Sequence, residues 1–146
     1  MSKREVELYL VDIFIAIDKI NRYSNKFDTA QELLHSDLEW DATIRELEII
    51  GEVTNKLLKS EILDQEYRII VDFRNQINHG YFGIDENVVW EVIDSYLFTF
   101  KIELIKIIKS QNINLSEAIK CAKEDNHFSI LTTSFLTNLN KELTNV

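Results

Sequence analysis

The residues best suited to chemistry lie in one short segment, RNQINHGYFG, which runs from Arg74 to Gly83. Arg74 is the one formal charge between Asp72 and Asp85, and His79 follows it by five residues. An arginine can grip a phosphate through two nitrogens and stabilise charge on its oxygens. A histidine can take a proton from a ribose 2′-hydroxyl or give one to the leaving oxygen. The pair therefore indicates phosphodiester cleavage in which the 2′-hydroxyl is the nucleophile and no metal is needed.

The spacing of these residues predicts that they share one end of a helix. On a continued helix Arg74, Asn78 and Tyr81 would lie within about 40° of one another, and His79 about 140° from Arg74. Gly80 is the predicted helix stop, because glycine readily adopts the left-handed conformation just past a helix C-terminus. His79 can then swing around the helix end towards Arg74. The negative end of the helix also favours a cationic imidazole.

A single copy of this segment supplies one histidine, whereas the reaction needs both a base and an acid. Two copies facing each other across a dimer axis would provide both, because a two-fold interface brings the same patch from each subunit together. The surroundings of the segment are apolar and low in charge, as such an interface requires: Phe73, Ile77, Phe82 and Ile84.

A purely structural interpretation stays open from spacing alone. Arg74 could form a surface salt bridge, His79 could end a helix, and Tyr81 could be a packing aromatic. The other histidines and the tryptophans have no comparable neighbours, and we expect solvent-facing or loop histidines and packing tryptophans at His35, His127, Trp40 and Trp90.

The composition predicts one cytoplasmic globular domain with a net charge of −9 over 146 residues. An acidic chain opposes non-specific binding to nucleic acid, so a role on RNA needs a localised site. Residues 101–123 hold five lysines and two glutamates. These lysines could contribute to such a site, or Lys106 and Lys109 could simply complement a helix C-terminus. Cys121 is the one cysteine, which excludes an internal disulfide, and we expect it to be buried or half-buried. The sequence contains no run of 18 apolar residues, so it predicts no membrane span.

Helical periodicity runs through nearly the whole chain and predicts an all-α fold, an up-and-down bundle of four main helices with extra helices at the C-terminus. Strict alternation over the length of a strand is absent. The predicted inner face of the second long helix is Leu38, Ala42, Ile49, Ile50, Val53 and Leu57, and Gly51 within it predicts close packing on a neighbouring helix. The predicted helices cover about 3–23, a short segment capped by Asp28 or Thr29, 36–59, 64 to the Gly80 stop, 86–109 capped by Asp85, 114–123 with an Asn114/Glu117 capping box, and 129–143.

The segment from Arg74 to Tyr81 matches the R-x4-H-x-Y signature of the HEPN ribonucleases, and the chain resembles their HepT toxin branch. "MSKREVELYLVDIFIAIDKINRY" resembles the opening helix of the family, and "IRELEIIGEVTNKL" resembles its second helix. "VDFRNQINHGYFGIDENVVWEVI" resembles the signature helix, the turn and the next helix. The resemblance covers residues 1–109, which predicts a HEPN-like bundle there and a C-terminal helical extension at 110–146 packed on the same domain. The segment "LKSEILDQEYRII" is shorter than usual in the family and lacks its prolines, so a difference from the family is expected at the rim of the cleft.

The resemblance implies a homodimeric, metal-independent endoribonuclease that needs no cofactor and leaves a 2′,3′-cyclic phosphate. Arg74 and His79 would be its catalytic pair at the dimer cleft, with Asn75 and Asn78 in support. Tyr81 aligns with the tyrosine that an MntA-type nucleotidyltransferase antitoxin modifies with AMP from ATP. Phosphate added two residues from His79 would place negative charge where RNA phosphate must bind.

The sequence thus predicts the toxin of a type VII-like toxin–antitoxin system that acts on RNA, with tRNA as one candidate substrate. A function of another class stays open, namely a non-catalytic helical partner that regulates a nucleotidyltransferase.

Overall fold

Eight α-helices make up the described part of the chain. The computed structural model describes residues 1–78 and 83–145, without the side chain of Asn78. The predictions for His79, Gly80, Tyr81 and Phe82 lie outside the described residues. The helices are α1 (Lys3–Ser24), α2 (Ala30–Leu34), α3 (Asp37–Lys59), α4 (Arg68–Asn78), α5 (Glu86–Glu91), α6 (Leu97–Ser110), α7 (Ser116–Asp125) and α8 (Ile130–Thr144). A 3-10 turn, Gln65–Tyr67, leads into α4. The predicted all-α class is confirmed.

The helix starts follow from local capping by side chains. Ser2 caps α1 by accepting from the backbone N–H of Glu5, and Thr29 caps α2 by accepting from that of Glu32. The sequence left the cap of this helix open between Asp28 and Thr29, and the structure shows that it is Thr29. Each such bond satisfies a backbone donor that the first turn of a helix leaves unpaired.

The segments α5 and α6, which follow the candidate site, form one continuous helix with a π-helical turn in its middle. Asp85 caps it by accepting from the N–H of Asn87, as predicted. Between α5 and α6 a π-helical turn, Val92–Tyr96, joins the two segments without a break. No feature of the sequence indicated this turn.

The core is built on α1, which packs against α3, while α3 packs against α4 on its other side. The buried face of α3 includes Leu47, Ile50, Val53 and Leu57. Leu38 was predicted on this face and is 77% exposed, so that prediction was wrong. The buried face of α3 also includes two threonines, Thr43 and Thr54. Because threonine is polar, the apolar pattern gave the wrong rotation for the first turns of the helix.

The last two helices pack on α1, and α8 also contacts α6. Arg22 of α1 donates from Nη2 to Oγ1 of Thr132 in α8 at 3.1 Å. The expected capping box of α7 is not formed, because the helix starts one residue later, with Leu115 as the N-cap residue. Asn114 instead accepts from the N–H of Ser116 at 2.9 Å.

Several smaller predictions are confirmed. Cys121 is half-buried, and both described histidines are exposed. Trp40 and Trp90 are partly buried against the core. Across the described ranges, no helix is long and apolar enough to cross a membrane.

Candidate active site

Arg74 lies on the face of α4 that packs on α3. It is half-buried and shares a stripe with three buried residues at helical spacing: Tyr67, Ile70 and Ile77. Residues three and four apart occupy one side of a helix, so the apolar neighbours of Arg74 determine which way its stem points. The arginine is thus held by the bundle and is not a free surface residue.

Gly51 of α3 is what allows Arg74 to lie there. A Cβ atom at Gly51 would come within 2.2 Å of Cβ and 2.6 Å of Cγ of Arg74, and within 3.3 Å of the carbonyl oxygen of Ile70. Contacts of 2.2 and 2.6 Å are far inside van der Waals separation, and both involve the stiff part of the arginine stem. The predicted close packing at Gly51 is confirmed, and the group packed on it is the candidate catalytic arginine.

The guanidinium of Arg74 is left without a partner by the described residues. Its Nε is buried and donates to no acceptor there, and the three ion pairs of the described ranges involve Arg22, Lys26 and Arg45. A buried polar group without a hydrogen bond costs about 1–3 kcal/mol. Such an arginine is suited to receive an anion or a further polar group at the end of α4.

The structure describes only some of the other predicted site residues. Asn75 is exposed, one position on from Arg74 and therefore turned away from α3. Asn78 ends α4, and its side chain is outside the described part. His79 and Tyr81 follow Asn78 in the sequence and lie outside the described residues. The structure brings together Arg74 and Gly51, and the roles of Asn75, Asn78, His79 and Tyr81 stay predictions.

An apolar groove of about 650 Å³ runs along the opposite side of α4, between it and the helix that contains the π turn. Ile69 and Val88 on its walls are 58% and 39% exposed. The groove also holds Tyr96, whose pKa is raised to about 12, first by burial and then by the charge of Glu103. Two carboxylates, Asp72 and Glu91, line it as well. A groove with this lining repels RNA phosphate and suits a protein surface.

The described carboxylates, histidines and cysteine do not form a group of three or more that could hold a metal ion. The prediction of metal independence is therefore a matter for experiment.

Comparison with known proteins places the segment from α1 to α6 in one family. The family model described as "Ribonuclease HepT-like" matches residues 13–107. "Putative RNase MJ0125" of Methanocaldococcus jannaschii is 30% identical over 112 residues, which are 75% of this chain and 96% of that protein. "Probable ribonuclease HepT" of Thermococcus cleftensis is 31% identical over 113 residues, which are 73% of this chain and 99% of that protein. No solved structure matches the chain significantly.

Proposed function

The chain belongs to the HepT-like ribonuclease family, and on this premise we propose that it is the toxin of a toxin–antitoxin system, active in the cytoplasm. Membership confirms two predictions from the sequence, the family and the enzyme class, an endoribonuclease. The proposal concerns the rest: the site, the chemistry, the dimer and the control of activity.

The observation that carries the proposed site is the position of Arg74. Its stem is held against Gly51, and the described residues offer its guanidinium no counter-charge. A guanidinium that is fixed in place and unpaired can bind phosphate through two nitrogens without first giving up another partner. We assign to Arg74 the binding of the scissile phosphate, and to His79 the transfer of protons to and from the ribose and leaving oxygens.

The second histidine of the reaction is proposed to come from a second copy of the chain. The groove between α4 and the helix that contains the π turn supports a protein contact on the other side of α4, because Ile69 and Val88 expose apolar surface there. Its two carboxylates disfavour RNA in the same place. A two-fold contact that includes the C-terminal end of α4 would bring both copies of the segment from Arg74 to Tyr81 to one cleft.

Control is proposed to act through Tyr81. An MntA-type nucleotidyltransferase antitoxin would transfer AMP from ATP to its hydroxyl. The added phosphate would repel RNA from the neighbouring Arg74 and His79. Silencing by charge and bulk needs no change of fold.

Cleavage of RNA by the purified protein in EDTA tests the site. The wild type should leave 2′,3′-cyclic phosphate ends, and Arg74→Ala and His79→Ala should each lower the rate about 10²–10⁴-fold, the usual contribution of such groups. Arg68→Ala is the matched control, because Arg68 is exposed on the same helix and bonds only Gln65 among described residues. Retained activity in both site variants would refute the assignment. A tight complex with the nucleotidyltransferase and no RNA cleavage would instead support the non-catalytic alternative.

Mass spectrometry after incubation with the nucleotidyltransferase and ATP tests the control step. AMP is expected on Tyr81 and absent from Tyr81→Phe, and its addition should abolish cleavage. An adduct on another residue would contradict the proposal.

A further inference from the structure

A lysine-rich groove runs between α7 and α8, outside the segment that the family model matches. Two adjoining cavities of about 540 and 460 Å³ share Ser116 and Asn140 and together form this groove, called the α7–α8 groove below. Its basic lining comes from both helices and from the end of α6: Lys109, Lys120, Lys123, His127 and Lys141.

The charge of the α7–α8 groove is opposite to that of the chain. Of the described residues that line it, Glu124 is the one carboxylate, against four lysines. The chain as a whole carries −9. None of these lysines takes part in an ion pair within the described ranges. Unneutralised lysines gathered in a concave surface of an acidic protein focus positive potential there and attract a polyanion.

Two polar residues of the lining suit a phosphate backbone. Ser116 and Asn140 supply a hydroxyl and an amide group, which commonly bond phosphate and sugar oxygens, whereas the hydroxyls of Thr133 and Thr137 already donate to backbone carbonyl oxygens. The exposed aromatic beside the groove, Phe128, is not part of its lining. A groove that combines lysines from both helices with aliphatic residues such as Ile113 and Ile119, and that has no aromatic platform, reads charge and not bases.

We infer that the α7–α8 groove binds the backbone of the RNA substrate at a distance from the cleavage site. This inference rests on the proposed function for its ligand. In the bundle α4 packs on α3, α3 on α1, and α1 on α7. Two helices, α3 and α1, thus separate α4 from α7 in this order of packing, and Arg74 is not among the residues that line the groove. RNA that contacts both sites must therefore pass over the surface of the bundle, and a short RNA reaches only one of them.

Binding of an RNA that cannot be cleaved tests the groove. A fluorescent 2′-O-methyl RNA of about 30 nucleotides, at about 3.4 Å per nucleotide, spans the required distance, and its blocked 2′-oxygen prevents cleavage. We expect Lys120→Gln/Lys123→Gln/Lys141→Gln to weaken binding at least about tenfold at low salt. The plot of log affinity against log salt should become shallower by about 2, because each single-strand phosphate contact contributes about 0.7.

The matched control is Lys3→Gln/Lys59→Gln/Lys106→Gln, which removes the same charge from exposed lysines outside the groove. It should change binding far less. The groove variant should also cleave an unmodified RNA of about 4 nucleotides, about 14 Å long, as fast as the wild type does, and an unmodified RNA of about 30 nucleotides more slowly.

Equal binding of RNA by the groove and control variants would overturn the inference, as would a groove variant that lost only its complex with the nucleotidyltransferase. A wild type that binds the 2′-O-methyl RNA through these lysines but cleaves neither of the unmodified RNAs would refute the proposed function and leave the inference about the groove intact. The two failures are thus distinguishable.

Discussion

At the scale of single residues, the candidate site depends on the absence of a side chain at Gly51. Gly51 lies in the middle of α3, where glycine normally destabilises a helix by about 1 kcal/mol against alanine. The structure shows the compensating factor, because Cβ and Cγ of Arg74 occupy the space where a Cβ of residue 51 would be. The glycine is therefore required by the arginine.

Gly51→Ala should push α4 and Arg74 away from α3. Overpacking costs about 1–3 kcal/mol, and alanine recovers about 1 kcal/mol of helix propensity, so we expect a net loss of up to about 2 kcal/mol in stability. Displacement of a catalytic group by about 1 Å can cost about 10²-fold in rate. Thermal unfolding and RNA cleavage would measure the two effects. The control is Glu52→Ala, an exposed neighbour on α3. A Gly51→Ala protein as active and stable as the wild type would contradict the steric argument.

Glu46 is a second residue whose environment is unusual, since it is buried on α3 at 9% exposure. Burial raises the pKa of this carboxyl, and the charges of Lys19, Arg45 and Arg22 only partly offset the effect. A raised folded-state pKa means that the fold prefers the protonated acid. Stability is therefore lost as the pH rises through the unfolded value of about 4.3 towards the folded one.

Glu46→Gln should consequently raise the unfolding temperature at pH 7, where the wild-type carboxylate is charged. The gain should shrink and vanish below about pH 4, where the acid is protonated in both states. Thermal melts of the two proteins from pH 3 to 8 would show this, with the exposed Glu52→Gln as the control. A gain that is independent of pH would rule out the carboxylate charge as its cause.

At the scale of helices, the 3-10 turn that leads into α4 is joined to α6 by a hydrogen bond between two side chains. Tyr67, in the 3-10 turn before α4, donates its hydroxyl to Oε2 of Glu103 at 2.7 Å, and its ring lies 5.5 Å from that of Phe100. A hydrogen bond to a charged acceptor is stronger than a neutral one. This bond therefore holds the start of α4, the helix that carries Arg74, against α6.

Tyr67→Phe should remove this tie and keep the ring packing. We expect a loss of about 1–2 kcal/mol in the free energy of unfolding, measured by urea denaturation. The matched control is Tyr23→Phe, because the described residues give the Tyr23 hydroxyl no hydrogen-bond partner and its removal should cost little. Equal losses in the two variants would show that the bond to Glu103 contributes nothing measurable.

The helices themselves could be predicted to within a few residues, because caps such as Thr29 and Asp85 and the 3.6-residue period are local signals. The rotation of α3 could not be predicted, because its buried threonines are polar whereas the exposed Leu38 is apolar. The π turn at Val92–Tyr96 also lacks a local signature. The sequence singled out Arg74 and Gly51 separately, yet their contact depends on how two helices cross, which periodicity does not encode.

At the scale of the whole molecule, α1 shows that the C-terminal helices belong to the core. Its buried residues cover about 220° of the helix circumference at 100° per residue, from Ala16 through Leu10 to Val11. A helix on the surface of a bundle needs an apolar stripe only somewhat wider than about 100°. The additional buried side is explained by α7 and α8, which pack on α1.

A chain that ends at Lys109 should therefore be much less stable than the full chain. It would lose six apolar residues that are buried in the full chain: Leu115, Ala118, Ile119, Ala122, Leu136 and Leu139. At about 1.5–3 kcal/mol for each large apolar side chain, the loss should amount to several kcal/mol. The apolar side of α1 would be exposed to water as well. Calorimetry should show a lower unfolding temperature and dye binding an exposed apolar surface, whereas a chain that ends at Thr144 should behave like the full one. An unchanged unfolding temperature for residues 1–109 would mean that residues 110–146 are a separate unit and that the bundle is complete without them.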